Sequence, residues 1–143
     1  MFIGEYQHSA DDKGRVAIPA KFRVQLKKGA VVTRGLDNCL FVYPAQEWKK
    51  LADKLAGLPI GQAKSRAFAR LMLAGAMDVV LDGQGRIMLP DYLRQYAKMG
   101  KKLVIAGLYN RLELWDEQLW ETYKQNAESA SAEIAEALGE LGV

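Results

Sequence analysis

Polar and apolar residues alternate with a period of two in several short runs of this chain, each bounded by glycine, proline or aspartate, which is the pattern of half-buried β-strands. EYQHSAD (5–11) leads through a glycine-bearing loop into RVAI (15–18), and AMDVVLD (76–82) leads through a second such loop into RIML (86–89). Both loops predict β-hairpins. Pro19 and Pro90 end these strands, and AKFRVQL and DYLRQYA behind them predict short helices with proline just ahead of the first turn. AVVTRG and CLFVYP, then KLVIAG and RLELWD, predict two further hairpins turned by Gly-Leu-Asp-Asn and Gly-Leu-Tyr-Asn.

Other segments change to helical spacing. AQEWKKLADKLAG (45–57) sets Trp48, Leu51, Leu55 and Leu58 on one face, and Gly57 with Pro59 stops it. AKSRAFARLMLAG (63–75) sets Ala67, Phe68, Leu71 and Met72 on one face, with Lys64, Arg66 and Arg70 elsewhere as a solvated side. The Ala/Glu-rich stretch from Glu117 to the C-terminus predicts a helix that frays around Gly139 and Gly142.

The two sets of elements are copies of one another. With an offset of 71, Gly4, Asp11, Gly14, Arg15, Pro19 and Arg23 fall on Gly75, Asp82, Gly85, Arg86, Pro90 and Arg94. After one inserted residue, Val32, Gly35, Leu36, Asn38, Leu40, Gln46 and Trp48 fall on Val104, Gly107, Leu108, Asn110, Leu112, Gln118 and Trp120. Duplicated units of this kind pack on one another. The expected fold class is α+β, with two tandem ββαββ-like repeats: residues 1–58 with a closing helix, a connecting helix at 59–74, residues 75–125, and a helical tail at 126–143. Each repeat alone has too few strands to hide its edges.

Composition narrows the class of protein. Half of the 143 residues are apolar, and no apolar run approaches the length of a membrane span. The segment MFIGEYQHSADDKGR lacks the basic and apolar regions of a secretory signal, so a cytoplasmic protein is expected. The net charge of +3 conceals an asymmetry: residues 1–102 carry 18 Lys/Arg against 9 Asp/Glu, and residues 103–143 carry 2 against 8. A basic body with an acidic tail suits a polyanionic partner, although most basic surfaces are only solvated faces.

The Asp-x-x-Gly-Arg loops are the candidate chemistry. Glycine ahead of the arginine permits a positive φ, and the aspartate four residues before the arginine can bond back across the loop mouth and fix its direction. A guanidinium so held can read guanine with two donors or clamp phosphate. In a single copy, Asp11 with Arg15 or Asp82 with Arg86 would read as a hairpin staple; two copies offer one basic edge. Lys13 adds charge to the first loop, and Gln84 at the matching place keeps donors without charge. Arg23 and Arg94 are candidates either for phosphate contact or for local capping. His8 and Cys39 are the only residues of their kinds, so a catalytic triad or His/Cys metal site lacks parts. No catalysis, metal or cofactor is expected.

MFIGEY, DDKGRVAIPAKFR, RGLDNCLFVYPAQEW, RLMLAGA, DGQGRIMLP and GLYNRLELWDEQLW together resemble the MraZ family of bacterial transcriptional regulators, encoded with division and cell-wall genes. The resemblance spans about residues 1–125, and each repeat is similar to an AbrB-type swapped-hairpin unit. It implies a single small β-barrel built within one chain. It further implies a nucleoid-associated, sequence-specific binder of double-stranded DNA, assembled as a ring-like homo-oligomer on repeated promoter boxes. The family's Asp-x-x-x-Arg motif falls on Asp11 to Arg15 and Asp82 to Arg86, which makes Lys13, Arg15, Gln84 and Arg86 the expected DNA contacts and Asp11, Gly14, Asp82 and Gly85 the loop-shaping residues. The alternative is a protein-interaction module of the antitoxin-like AbrB type. More distant is an enzyme that binds a phosphorylated ligand in the Gly-Arg loops.

Overall fold

A computed structural model describes all 143 residues. The first repeat runs β1 (Phe2–Ser9), β2 (Arg15–Ala17), α1 (Ala20–Arg23), a 3₁₀ turn, β3 (Ala30–Arg34), β4 (Leu40–Pro44) and α2 (Ala45–Ala56). A linking helix α3 (Ala63–Ala69) continues into a π-helical turn at Arg70–Ala74. The second repeat runs β5 (Met77–Val79), β6 (Arg86–Met88), α4 (Asp91–Tyr96), β7 (Lys102–Tyr109), β8 (Leu112–Asp116) and α5 (Glu117–Ser129), followed by α6 (Ser131–Ala137).

The repeats exchange their first strands. Six antiparallel strands form one sheet in the order β1-β7-β8-β4-β3-β5, so β1 pairs with a strand of the second repeat and β5 with a strand of the first. β2 and β6, also from different repeats, pair as a separate two-stranded ribbon. The ribbon is tied to β1 by one bridge between Ala10 and Val16. The strands are thus interlocked within one chain, but no continuous hydrogen-bonded ring of strands closes a barrel.

Alternation along the central strands explains why both sides of the sheet are covered. Leu40 and Val42 of β4, with Leu112 and Leu114 of β8, turn to one face; Phe41 and Tyr43 of β4, with Trp115 of β8, turn to the other. The first face joins Phe2, Val16, Ile18 and Phe22 of one repeat to Ile87, Leu89, Leu93 and Leu103 of its copy in a single 18-residue core. Phe22 anchors it, with Phe2 and Tyr6 edge-on at ring-centroid distances of 5.3 and 5.5 Å. The second face holds a smaller cluster roofed by α2 and α5, against which Trp48 and Trp120 pack while partly exposed. The tryptophan sealed there is Trp115, which periodicity alone did not single out.

Three local features depart from the sequence pattern. The strand ahead of each loop differs in length, eight residues in β1 and three in β5. The face expected on 63–75 is not buried as a whole: Met72 within the π turn is buried, while Leu71 beside it and Phe68 ahead of the turn stay exposed, and the wider turn offsets the residues after it from those before it. The carbonyls of that turn find partners outside the helix, since Thr33 Oγ1 donates to the Met72 oxygen at 2.7 Å and Arg34 Nη1 to the Leu71 oxygen at 3.2 Å. The C-terminal stretch carries α6 and a short 3₁₀ turn. α5 is capped by Asp116 Oδ2, which accepts from the Gln118 and Leu119 amides, and is tied to β1 by Lys124 and Glu5 at 2.9 Å.

Candidate nucleic-acid interface

Each loop is built around one aspartate. Asp11 Oδ1 accepts the backbone N–H of Lys13 at 2.9 Å and of Arg15 at 2.8 Å, and Oδ2 accepts Arg15 Nε at 2.6 Å. Asp82 repeats the arrangement, with Gln84 N and Arg86 N each at 2.9 Å and Arg86 Nε at 2.8 Å. Donation by the Arg15 amide first, then by its side chain, holds the Asp11 carboxyl below the usual carboxylate range, and Arg86 does the same to Asp82. The pairing uses only Nε of each guanidinium. Neither Nη group of either arginine makes a hydrogen bond within the protein, and these are the donors whose spacing suits guanine O6 and N7 or a phosphate.

The glycines do more than turn the chain. Gly14 and Gly85 have φ of +82° and +74°, and both are buried because the opposite repeat presses against them. The Gly14 oxygen accepts Leu89 N and the Gly85 oxygen accepts Ile18 N, each at 2.9 Å. A Cβ on Gly14 would lie 2.7 Å from the Leu89 oxygen and 2.8 Å from Arg94 Nε; a Cβ on Gly85 would collide with Arg23. The side chains of Arg94 and Arg23 therefore lie beneath the loops of the repeats to which they do not belong. Sequence matching paired these two arginines but gave no sign of this crossing.

The ribbon sets the spacing of the arginines. In its register Arg15 faces Met88, Val16 faces Ile87 and Ala17 faces Arg86. Val16 and Ile87 are buried in the shared core, so Arg15, Ala17, Arg86 and Met88 occupy the opposite, outward face. The two arginine Cα atoms are about 8 Å apart by strand geometry. Both arginines begin their strands, and the loop tips are formed instead by Asp12 and Lys13 and by Gly83 and Gln84. Lys101 reaches Asp12 at 3.5 Å. Lys64, Arg66 and Arg70 lie on or just past α3, and Arg66 is occupied by the Ile60 oxygen at 2.9 Å.

His8 and Cys39 have structural surroundings. Burial, then the Arg23 charge, lowers the His8 pKa. Cys39 is fully buried, donates to the Leu36 oxygen at 3.1 Å, and is pushed far above the ordinary thiol range by burial. An uncharged thiol in such a site is unreactive.

Fold and loops together define an α+β protein of two tandem repeats that exchange strands within one chain and carry two matching Asp-Arg loops on one ribbon. The MraZ family profile, described as MraZ protein, antitoxin-like, matches residues 1–71 and again 72–140, and the chain belongs to that family. Proteins from Natranaerobius thermophilus and Halothermothrix orenii are 50% and 51% identical over 143 residues, all of this chain and of each relative. One from Carboxydothermus hydrogenoformans is 49% identical over 138 residues, 96% of both chains. All three are named Transcriptional regulator MraZ, the name of a regulator and not of an enzyme.

Proposed function

We propose that this chain is a transcriptional regulator that binds double-stranded DNA in a sequence-specific manner through the outer face of the β2–β6 ribbon. The observation that carries the reading is the register of that ribbon, which turns Arg15 and Arg86 outward together while Asp11 and Asp82 hold their Nε atoms. A major groove admits a two-stranded ribbon, and Arg is the side chain whose paired donors match guanine. Arg15 and Arg86 contact bases, Lys13 and Gln84 contact backbone, and Asp11, Gly14, Asp82 and Gly85 shape the loops. The core shared by both repeats supports reading the ribbon and the larger sheet as one barrel-like body in which the repeats at 1–58 and 75–125 act together.

Assembly as a ring on repeated promoter boxes, in the nucleoid and at a division and cell-wall gene cluster, extends this reading. It draws on the family, on the eight-residue edge strand β1, and on apolar side chains exposed at Ile3, Leu71, Met77 and Val80. A ring would raise the effective concentration of loops at adjacent boxes. The antitoxin-like description of the family favours a second reading, a protein-interaction module. Selection from random duplexes separates the two. The DNA-binding reading expects an enriched motif bound with a steep salt slope, and it fails if the protein enriches nothing.

A further inference from the structure

The two loops are matched in backbone but differ in charge. Lys13 at the tip of the first loop makes no ion pair, whereas its counterpart in the second is the neutral Gln84. The arginines beneath the loops differ in the opposite sense. Arg94, under the first loop, donates Nε to the Leu89 oxygen at 3.1 Å and pairs through Nη2 with Asp91. Arg23, against Gly85 of the second loop, donates Nε to the Ile18 oxygen at 2.8 Å in the same way, but Ala20 stands where Asp91 would be and no carboxylate pairs with it. Its charge is felt by His8, a residue that brings no negative charge. Each loop therefore has one cation free of a carboxylate: Lys13 at the first, and Arg23, contributed by the other repeat, at the second.

We infer that Arg23 anchors a DNA phosphate beside the second loop, replacing across the repeats the charge that Gln84 lacks. The inference rests on the DNA-binding reading above and adds a phosphate anchor which that reading did not contain. Arg94, with the same packing and a neutralised charge, touches no phosphate and serves as an internal control.

The test is the salt dependence of binding to a selected duplex, followed by fluorescence anisotropy. Removing one phosphate-bound cation lowers the slope of log K against log salt by about one. Arg23→Gln should lower it by about one, Arg94→Gln should not lower it, and Arg23→Lys should keep the parent value. Ala20→Asp, an exposed substitution in the first turn of α1, should lower it as Arg23→Gln does while leaving Arg23 and its packing in place, so it carries the test if Arg23→Gln does not fold. Asp91→Ala should raise it by freeing Arg94. The double variant Ala20→Asp/Arg23→Gln should bind like Arg23→Gln alone, because the new carboxylate acts through Arg23. An unchanged slope in Ala20→Asp, equal slopes for Arg23→Gln and Arg94→Gln, or additive losses in the double variant would overturn the inference. Arg15→Ala and Arg86→Ala, measured alongside on selected and scrambled duplexes, report on the ribbon reading itself, so failure of one is distinguishable from failure of the other.

Discussion

Val16 lies opposite Ile87 at the centre of the β2–β6 ribbon, both wholly buried or nearly so, and this pair joins the two halves of the duplication where their loops meet. Because side chains alternate along a strand, seating these two in the core turns Arg15 and Arg86 to the opposite face. Core and candidate interface are thus set by one register.

Ile87→Ala should consequently act on both. Truncating a buried isoleucine costs about 2–5 kcal/mol, from the transfer energy forfeited and the cavity left behind. Urea unfolding followed by tryptophan fluorescence should report a destabilisation in that range. Ile87→Val, which keeps the ribbon filled, should cost about 0.5–1.5 kcal/mol.

The loop glycines can be ranked against a third. Gly14, Gly85 and Gly29 all have positive φ, but only Gly29 has open space where a Cβ would stand. Gly29→Ala should cost about 1–2 kcal/mol, the ordinary penalty of a left-handed residue. Gly14→Ala and Gly85→Ala should cost more, since the new methyl must also displace Arg94 or Arg23. Thermal melts of the three variants give the order directly, and equal losses would mean that the cross-repeat packing contributes nothing.

Asp11→Ala separates orientation from charge. Removing a carboxylate from a basic edge ought to strengthen binding to any DNA, yet Arg15 loses the acceptor that fixes its Nε. The expected outcome is equal or tighter binding to scrambled duplex together with weaker discrimination of the selected one. A gain on both, in proportion, would make Asp11 a simple source of repulsion.

The same aspartates give a pH dependence with a definite sign. Their carboxyls are held below the ordinary value of about 3.9, so the folded loops favour the ionised form. That stabilisation is fully present above the ordinary value and is lost as pH falls through the lowered one. Carbon-detected NMR titration should find the Asp11 and Asp82 midpoints below the ordinary aspartate value, and Arg15→Ala should raise the Asp11 midpoint.

Much of the fold was legible because the duplication repeats punctuation as well as pattern. Asp11, Gly14 and Pro19 recur as Asp82, Gly85 and Pro90, which marks the same loop, turn and strand end twice. The pattern predicted CLFVYP as a strand, and Leu40 and Val42 of that strand face the larger core. It could not indicate that Phe41 and Tyr43 are covered as well, because that depends on where α2 and α5 return. The pairing of β1 with β7 over eight residues, against three for β5 with β3, is also beyond local pattern, as is the π turn that interrupts the helix after Ala69. At the loops, the bond from aspartate to arginine followed from a spacing of four residues. The approach of Arg23 and Arg94 did not, because it joins residues about sixty to eighty positions apart through the strand exchange.

The most direct measurement of the central claim is the binding of Arg15→Ala and Arg86→Ala proteins to selected and scrambled duplexes over a series of salt concentrations, after circular dichroism establishes that each is folded. Bidentate base contacts predict that each variant loses about 1–3 kcal/mol on the selected duplex and relaxes preference at one position, with a smaller loss on scrambled DNA. If both variants hold the selected duplex as tightly as the parent protein does, Asp11–Arg15 and Asp82–Arg86 are staples of the fold, and the ribbon is not the surface that reads DNA.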